Sequence, residues 1–138
     1  MLVRKIRSRE AAYAVELARK LGLDYPGMES DLLWIAEEAG EIVGVVALKA
    51  HTDCLELCAL GVDPGFRAKG VAKALVEALM TAAPGDVHLA TIIPGFFENC
   101  GFHIIKRTIP ATFPAKRKTA WCEGCPREHC TVMMRKKS

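Results

Sequence analysis

A chain of 138 residues has room for one domain with a true core, and its 51% hydrophobic content can fill it. A formal net charge of +3 spread over scattered basic residues argues against a nucleic-acid surface; only Lys116-Arg117-Lys118 and Arg135-Lys136-Lys137 form basic runs. No apolar run is long enough to span a bilayer, and the charged start Arg4, Lys5, Arg7, Arg9 and Glu10 carries no signal-peptide core, so a cytoplasmic protein without a membrane partner is expected.

In chain order, Leu2 to Ile6 reads as a first strand. Ser8 then caps a helix whose apolar face carries Ala12, Val15, Leu17, Ala18 and Leu21, with Gly22 as its stop. Gly22 to Ser30 is a loop or short helix. Leu33 to Glu37 and Glu41 to Lys49 flank Ala39-Gly40 as a hairpin, the second strand being rich in β-branched residues.

The stretch from Leu55 to Leu79 is the most informative. Alternating Leu55, Leu57 and Ala59, then Val62, predict a half-buried strand, and Asp63-Pro64-Gly65 breaks it. Val71, Ala74, Leu75, Ala78 and Leu79 recur at helical spacing, so a helix begins near Lys69-Gly70. Its first N–H groups and the positive end of its dipole would face an anion, with Arg67, Lys69 and Lys73 adding charge. An ordinary strand, turn and solvated helix start is the competing reading of that loop.

Pro84-Gly85 punctuates before a buried strand from Val87 to Ile93, and a short helix covers the segment after Pro94. Phe102 to Thr108 reads as a further strand. Val132 to Arg135 would be the last, closing a hairpin across a long loop at about residues 109–131 that contains Pro110 and Pro114. This order predicts an α/β (α+β) domain over 1–138, a mixed sheet with helices on its faces.

Of six cysteines, Cys54, Cys58 and Cys100 read as buried, reduced thiols. Cys122, Cys125 and Cys130 form C-x2-C-x4-C, three thiolates toward a zinc site that would need a fourth ligand from His129 or a distant cysteine; a redox pair or unbound thiols are the alternatives. His51, His88 and His103 each stand alone in strands or strand ends, where a satisfied structural role is the default. Trp34 and Trp121 are isolated and read as packing residues.

The run V-D-P-x-x-R-x-x-G-x-A-x-x-L resembles the acetyl-CoA-binding motif of the GNAT superfamily of N-acetyltransferases, with Arg67, Gly70 and Ala72 at the R-x-x-G-x-G/A positions. Downstream, Pro94-Gly95-Phe96-Phe97-Glu98-Asn99-Cys100-Gly101-Phe102 resembles that family's F-Y-E-x-x-G-F segment. The resemblance implies a mostly antiparallel sheet of six to seven strands and acetyl-CoA as cosubstrate. It also implies that backbone groups near Leu60, Gly61 and Val62 meet the pantetheine arm, Gly61 permitting a bulge, and that Arg67, Ala68, Lys69, Gly70, Val71, Ala72 and Lys73 cradle the pyrophosphate. Glu56 is the candidate general base, a solvated strand glutamate being the alternative. Phe97 replaces the usual tyrosine thought to protonate the leaving thiolate and would pack against the cofactor.

From Phe96 through C-x-x-C-P and Val132-Met133-Met134 the chain also resembles short, single-domain bacterial N-acetylglutamate synthases, although Thr131 follows Cys130 where that subgroup carries a D-E pair. The implied activity is N-acetylation of a small amine, such as the amino acid glutamate. Lys106, Arg107, Lys116, Arg117 and Lys118 are candidates to receive a substrate carboxylate, a solvated basic loop being the alternative. Two other readings stand beside it: acetylation of a protein N-terminus or lysine, and a non-catalytic acyl-CoA-binding or metal-responsive module. The sequence leaves a homodimer open.

Overall fold

Each strand except the last two takes its place in the sheet in the order in which it is made. The computed structural model describes residues 1–67, 70–116 and 130–137. Seven strands, β1 (Leu2–Lys5), β2 (Leu32–Glu38), β3 (Glu41–Ala50), β4 (Leu55–Val62), β5 (Val87–Thr91), β6 (His103–Ile104) and β7 (Thr131–Arg135), are hydrogen-bonded in the order β1-β2-β3-β4-β5-β7-β6. β1 with β2, β2 with β3, β5 with β7 and β6 with β7 run antiparallel, while β4 and β5 are parallel. A parallel pair needs a crossover, and α2 (Val71–Ala82) lies in the connection that supplies it.

The chain divides into two compact units, Met1–Lys49 with Leu57–Ala83, and Ala50–Glu56 with Pro84–Ser138. In the first, α1 (Ala11–Lys20) buries Ala14, Leu17 and Ala18 in a cluster with Met28, Leu33, Ile35, Val45 and Ala47. Removing each large side chain of this set from water contributes about 1.5–3 kcal/mol. α2 buries Val71, Leu75, Val76, Leu79 and Met80. It comes so close to β3 at Gly44 that a Cβ there would lie 3.0 Å from Leu75 Cδ1 and 3.2 Å from Val71 Cγ1. In the second unit, β5 and β7 bury Val87, Leu89, Val132 and Met133. Phe97 meets Phe96 and Phe102 edge-on there, with ring centroids 5.0 and 5.9 Å away.

Local detail departs from the sequence-based expectations in five places. Ser8 opens a single 3-10 turn, Ser8–Glu10, and α1 starts at Ala11. Glu10 governs this start, because its carboxylate accepts from Arg7 N at 2.7 Å and from both Nη groups of Arg4 at 2.8 Å. Ala12 is exposed and Ala14 is buried in its stead, while Leu17 and Ala18 are buried and Val15 and Leu21 pack against them as expected. β5 stops at Thr91, whose Oγ1 accepts from Ile93 N, and leaves Ile92 and Ile93 exposed. The predicted strand over Phe102 to Thr108 shortens to His103–Ile104, with Ile105 N bonded to Val132 O. Inside the predicted long loop the chain forms a short helix, α4 (Thr112–Lys116), and before it α3 (Pro94–Glu98) covers the second motif as expected. No helix among the described residues is long and apolar enough to cross a membrane.

Candidate active site

In the first unit, β4 ends where Asp63 turns the chain. Its carboxylate accepts from Gly65 N at 3.0 Å, its N–H donates to Val43 O at 2.8 Å, and Pro64 opens a 3-10 turn. Arg67 reaches back, Nε donating to Val62 O at 3.0 Å, so its guanidinium is tied to the end of the strand. Gly70 then precedes α2 with φ 73° and ψ 12°, a left-handed conformation that costs an L residue about 1–2 kcal/mol. A Cβ on Gly70 would meet nothing within 4 Å, so the glycine answers to conformation and not to crowding by the chain itself.

Among the described residues no side chain is seen to cap the start of α2, whose first bond runs from Ala74 N to Gly70 O. The N–H groups of Val71, Ala72 and Lys73 therefore have no partner within the helix. With the helix dipole behind them and the exposed Lys73 beside them, they suit an anionic group such as phosphate. Ala68 and Lys69 lie outside the described residues.

β4 is irregular before this turn, at Ala59, which has φ 53°. The left-handed residue of the strand is thus Ala59, two positions before Gly61, where a bulge was expected. Gly61 serves another purpose: a Cβ there would collide with Leu23 Cδ1 and approach Leu21 Cδ1 to 2.8 Å, so the bare position lets the strand backbone pass under these side chains without displacing them. Leu60 is half-buried and Val62 buried.

In the second unit, Glu56 is not the solvated glutamate considered as its alternative. It is 2% exposed, and both carboxylate oxygens are engaged: Oε1 lies 2.8 Å from His51 Nε2, and Oε2 accepts from Lys116 Nζ at 2.6 Å. His51 therefore does not stand alone. It sits where β3 gives way to the turn into β4, and its backbone N–H donates to Cys54 O at 2.8 Å. Lys116, expected in a basic loop, instead places its ammonium on Glu56 from the end of α4.

α4 is held against the same turn. Asp53 accepts from Thr112 N at 3.1 Å and from Thr112 Oγ1 at 2.6 Å, and these two bonds hold its carboxyl below the usual range. Phe113 is buried with its ring 6.4 Å from that of His88, which is opposite Glu56 in the β4–β5 register. His88 Nδ1 is buried with no hydrogen-bond partner among the described residues, and desolvation pushes the imidazole below its ordinary value. Cys54 lies in the turn between β3 and β4 and is half-buried; burial, then the Asp53 charge, push its thiol up to about 11. It is an inert thiol at neutral pH.

Other sequence-predicted residues fall elsewhere. Phe97 is 6% exposed and packs among Phe96 and Phe102. Cys100 is buried, Cys58 half-buried, and His103, Lys106 and Arg107 exposed. Trp34 is a core residue at 4% exposure. Cys130 stands half-buried just before β7, whereas Cys122, Cys125, His129, Trp121, Arg117 and Lys118 lie outside the described residues. Among the described residues no group of three histidine, cysteine or acidic side chains is placed to hold a metal ion. Sequence reasoning missed the part played by His51 and the docking of α4. The only signal for either was the proximity of His51 to Glu56 in sequence.

Comparison with known proteins agrees with this architecture. N-acetylaspartate synthetase of Danio rerio is 29% identical over 97 residues, covering 62% of this chain and 34% of that protein. The Homo sapiens N-acetylaspartate synthetase is 48% identical over 62 residues, 44% of this chain and 20% of that protein. The chain thus spans about a third or less of these relatives. Among solved structures, N-acetylglutamate synthase from Neisseria gonorrhoeae, complexed with coenzyme A and N-acetyl-glutamate, superposes with a TM-score of 0.75 at 17% identity, covering 99% of this chain and 35% of that one. Rv2747 from Mycobacterium tuberculosis, in complex with CoA, gives 0.72 at 20% identity over 99% of both chains. At such identities these structures establish the fold. The family profile described as acetyltransferase (GNAT) domain matches residues 29–104, more than half of the sequence and inclusive of β4, the Gly70 turn and α2, and the chain belongs to the GNAT acetyltransferase family.

Proposed function

We propose that the chain transfers the acetyl group of acetyl-CoA to the amine of a small molecule, an amino acid such as glutamate. The observation that carries this reading is the uncapped N-terminus of α2 behind a left-handed Gly70, in a chain of this family. Val71, Ala72 and Lys73 would hold the pyrophosphate through backbone N–H groups, with Arg67, Ala68, Lys69 and Gly70 completing the loop, and Leu60, Gly61 and Val62 would face the pantetheine arm. The bare Gly70 position and the unpartnered helix N–H groups fit such a ligand.

Glu56 belongs to the catalytic centre in this reading. Its support is burial: a strand carboxylate taken out of water and held by two donors is a prepared group, not a surface charge. Phe97 offers no proton to the departing thiolate, which is tolerable because a thiol with a pKa of about 8.5 leaves readily near neutral pH. The names of the relatives, N-acetylaspartate synthetase and N-acetylglutamate synthase, support an acidic amino acid as acceptor. Residues 1–138 would act as one domain, since β4 contributes Leu55 and Glu56 to one unit and Leu57–Val62 to the other.

The test is thiol release from acetyl-CoA with aspartate, glutamate, polyamines and short peptides, alongside CoA binding by calorimetry. Saturable release with one amino acid is expected. CoA binding without release on any amine would leave a binding module and overturn the enzyme. Release with peptides alone would move the acceptor to protein.

A further inference from the structure

Two donors on Glu56 among the described residues, His51 and Lys116, decide which atom of this cluster can take up a proton. Lys116 Nζ has hydrogens to give and no lone pair while charged, so its 2.6 Å contact is ammonium to carboxylate. A carboxylate only accepts, so at 2.8 Å from Oε1 it is His51 Nε2 that carries the hydrogen. A neutral imidazole protonated at Nε2 has its basic lone pair on Nδ1. The His51 side chain is 20% exposed against 3% for Glu56, so of the two it is the imidazole that an incoming group can reach more readily.

We propose that His51 Nδ1 accepts the proton of the acceptor ammonium, and that Glu56 is a positioning residue that fixes the His51 tautomer and steadies the imidazolium; this rests on the acetyltransferase reading above. The logic is that of any carboxylate–imidazole pair in which the buried acid orients the ring and the outer nitrogen does the proton transfer. A proton placed directly on Glu56 would have to displace one of two short hydrogen bonds, whereas one placed on Nδ1 displaces none that the described residues make.

The steps balance. The ammonium R–NH3+ gives one proton to His51 Nδ1. The resulting amine attacks the thioester carbonyl, the C–N bond forms and the C–S bond breaks. The second nitrogen proton goes to the thiolate to give CoA thiol, and the imidazolium returns its proton to solvent. Among the described residues the charged group on the ring is Glu56 from β4, itself paired with Lys116 from α4; Asp53, in the turn that follows His51, is bonded to Thr112.

Two measurements on the whole chain test this. Long-range proton–nitrogen NMR of the histidine rings should show His51 protonated at Nε2 in the neutral form, and an Nδ1–H tautomer overturns the proposal. In steady-state assays His51→Gln keeps an N–H for Glu56 but has no base. Its kcat should fall about 100-fold or more with the KM for acetyl-CoA and the melting temperature unchanged. Added imidazole should restore part of the rate of His51→Ala. Undiminished turnover in His51→Gln while the wild type is active overturns this role alone. No turnover by the wild type on any amine overturns the acetyltransferase reading, and this role with it.

Discussion

Lys116 Nζ and Glu56 Oε2 meet at 2.6 Å although they are 60 residues apart in sequence. The contact ties α4 to the first residues of β4 and leaves a buried carboxylate with no unengaged oxygen. Removing one partner of a fully buried pair costs about 3–5 kcal/mol, because the other charge stays behind.

Lys116 is 28% exposed, so water tempers that cost. Lys116→Met should lower the unfolding free energy by about 2 kcal/mol, read from urea melts at neutral pH, while Glu56→Gln with Lys116→Met should recover part of the loss. Additive single-variant losses would show that the two side chains do not share an interaction.

Gly70 separates conformation from charge in the anion site. Gly70→Ala meets no neighbour, so its only penalty is the left-handed backbone, about 1–2 kcal/mol in stability with a modestly weaker CoA Kd. Gly70→Glu adds a negative charge at the uncapped helix start and should raise the CoA Kd at least 100-fold in calorimetry. Equal Kd values for the two variants would mean that no phosphate lies at this turn.

Much of this was legible in the sequence, and the missing parts share a cause. The strand, break and helix from Leu55 to Leu79 follow from side-chain periodicity and from Pro64, Gly65 and Gly70, all signals that act within a few residues. Glu56 could be singled out by type and position, but its burial could not, because the groups that make burial tolerable are His51 at a turn and Lys116 far along the chain. α4 was hidden for the same reason: Ala111 to Lys116 has weak helical character, and its anchor is the Asp53 carboxylate. β6 is a two-residue edge strand whose partners, Met134 and Met133, lie far along the chain and leave no local signal in the sequence.

The Asp53–Thr112 pair should make α4 sensitive to acid. Hydrogen bonds from Thr112 hold the folded-state carboxyl below its ordinary value of 3.8, so its contribution is present above that pH and is lost as the pH falls through the depressed value. Thr112→Val removes the side-chain donor. The stability gap between wild type and variant should therefore be full at pH 6 and shrink steadily below pH 3.8, as measured by urea unfolding; a gap independent of pH would assign the loss to packing.

Gly61 tests whether the shape of β4 depends on a bare backbone. Gly61→Ala drives a methyl into Leu23 Cδ1 and to 2.8 Å from Leu21 Cδ1. Both are the ends of side chains that can swing aside, so the penalty should stay near the low end for overpacking, about 1 kcal/mol. Leu23→Ala in the same chain removes the collision, and the double variant should be less destabilised than the sum of the singles by about 0.5 kcal/mol or more. If the sum is simply additive, the clash is absorbed elsewhere, most directly by a shift of β4 itself. That shift would then appear as a changed CoA Kd, because Leu60 and Val62 flank the substituted residue and Arg67 is bonded to Val62 O.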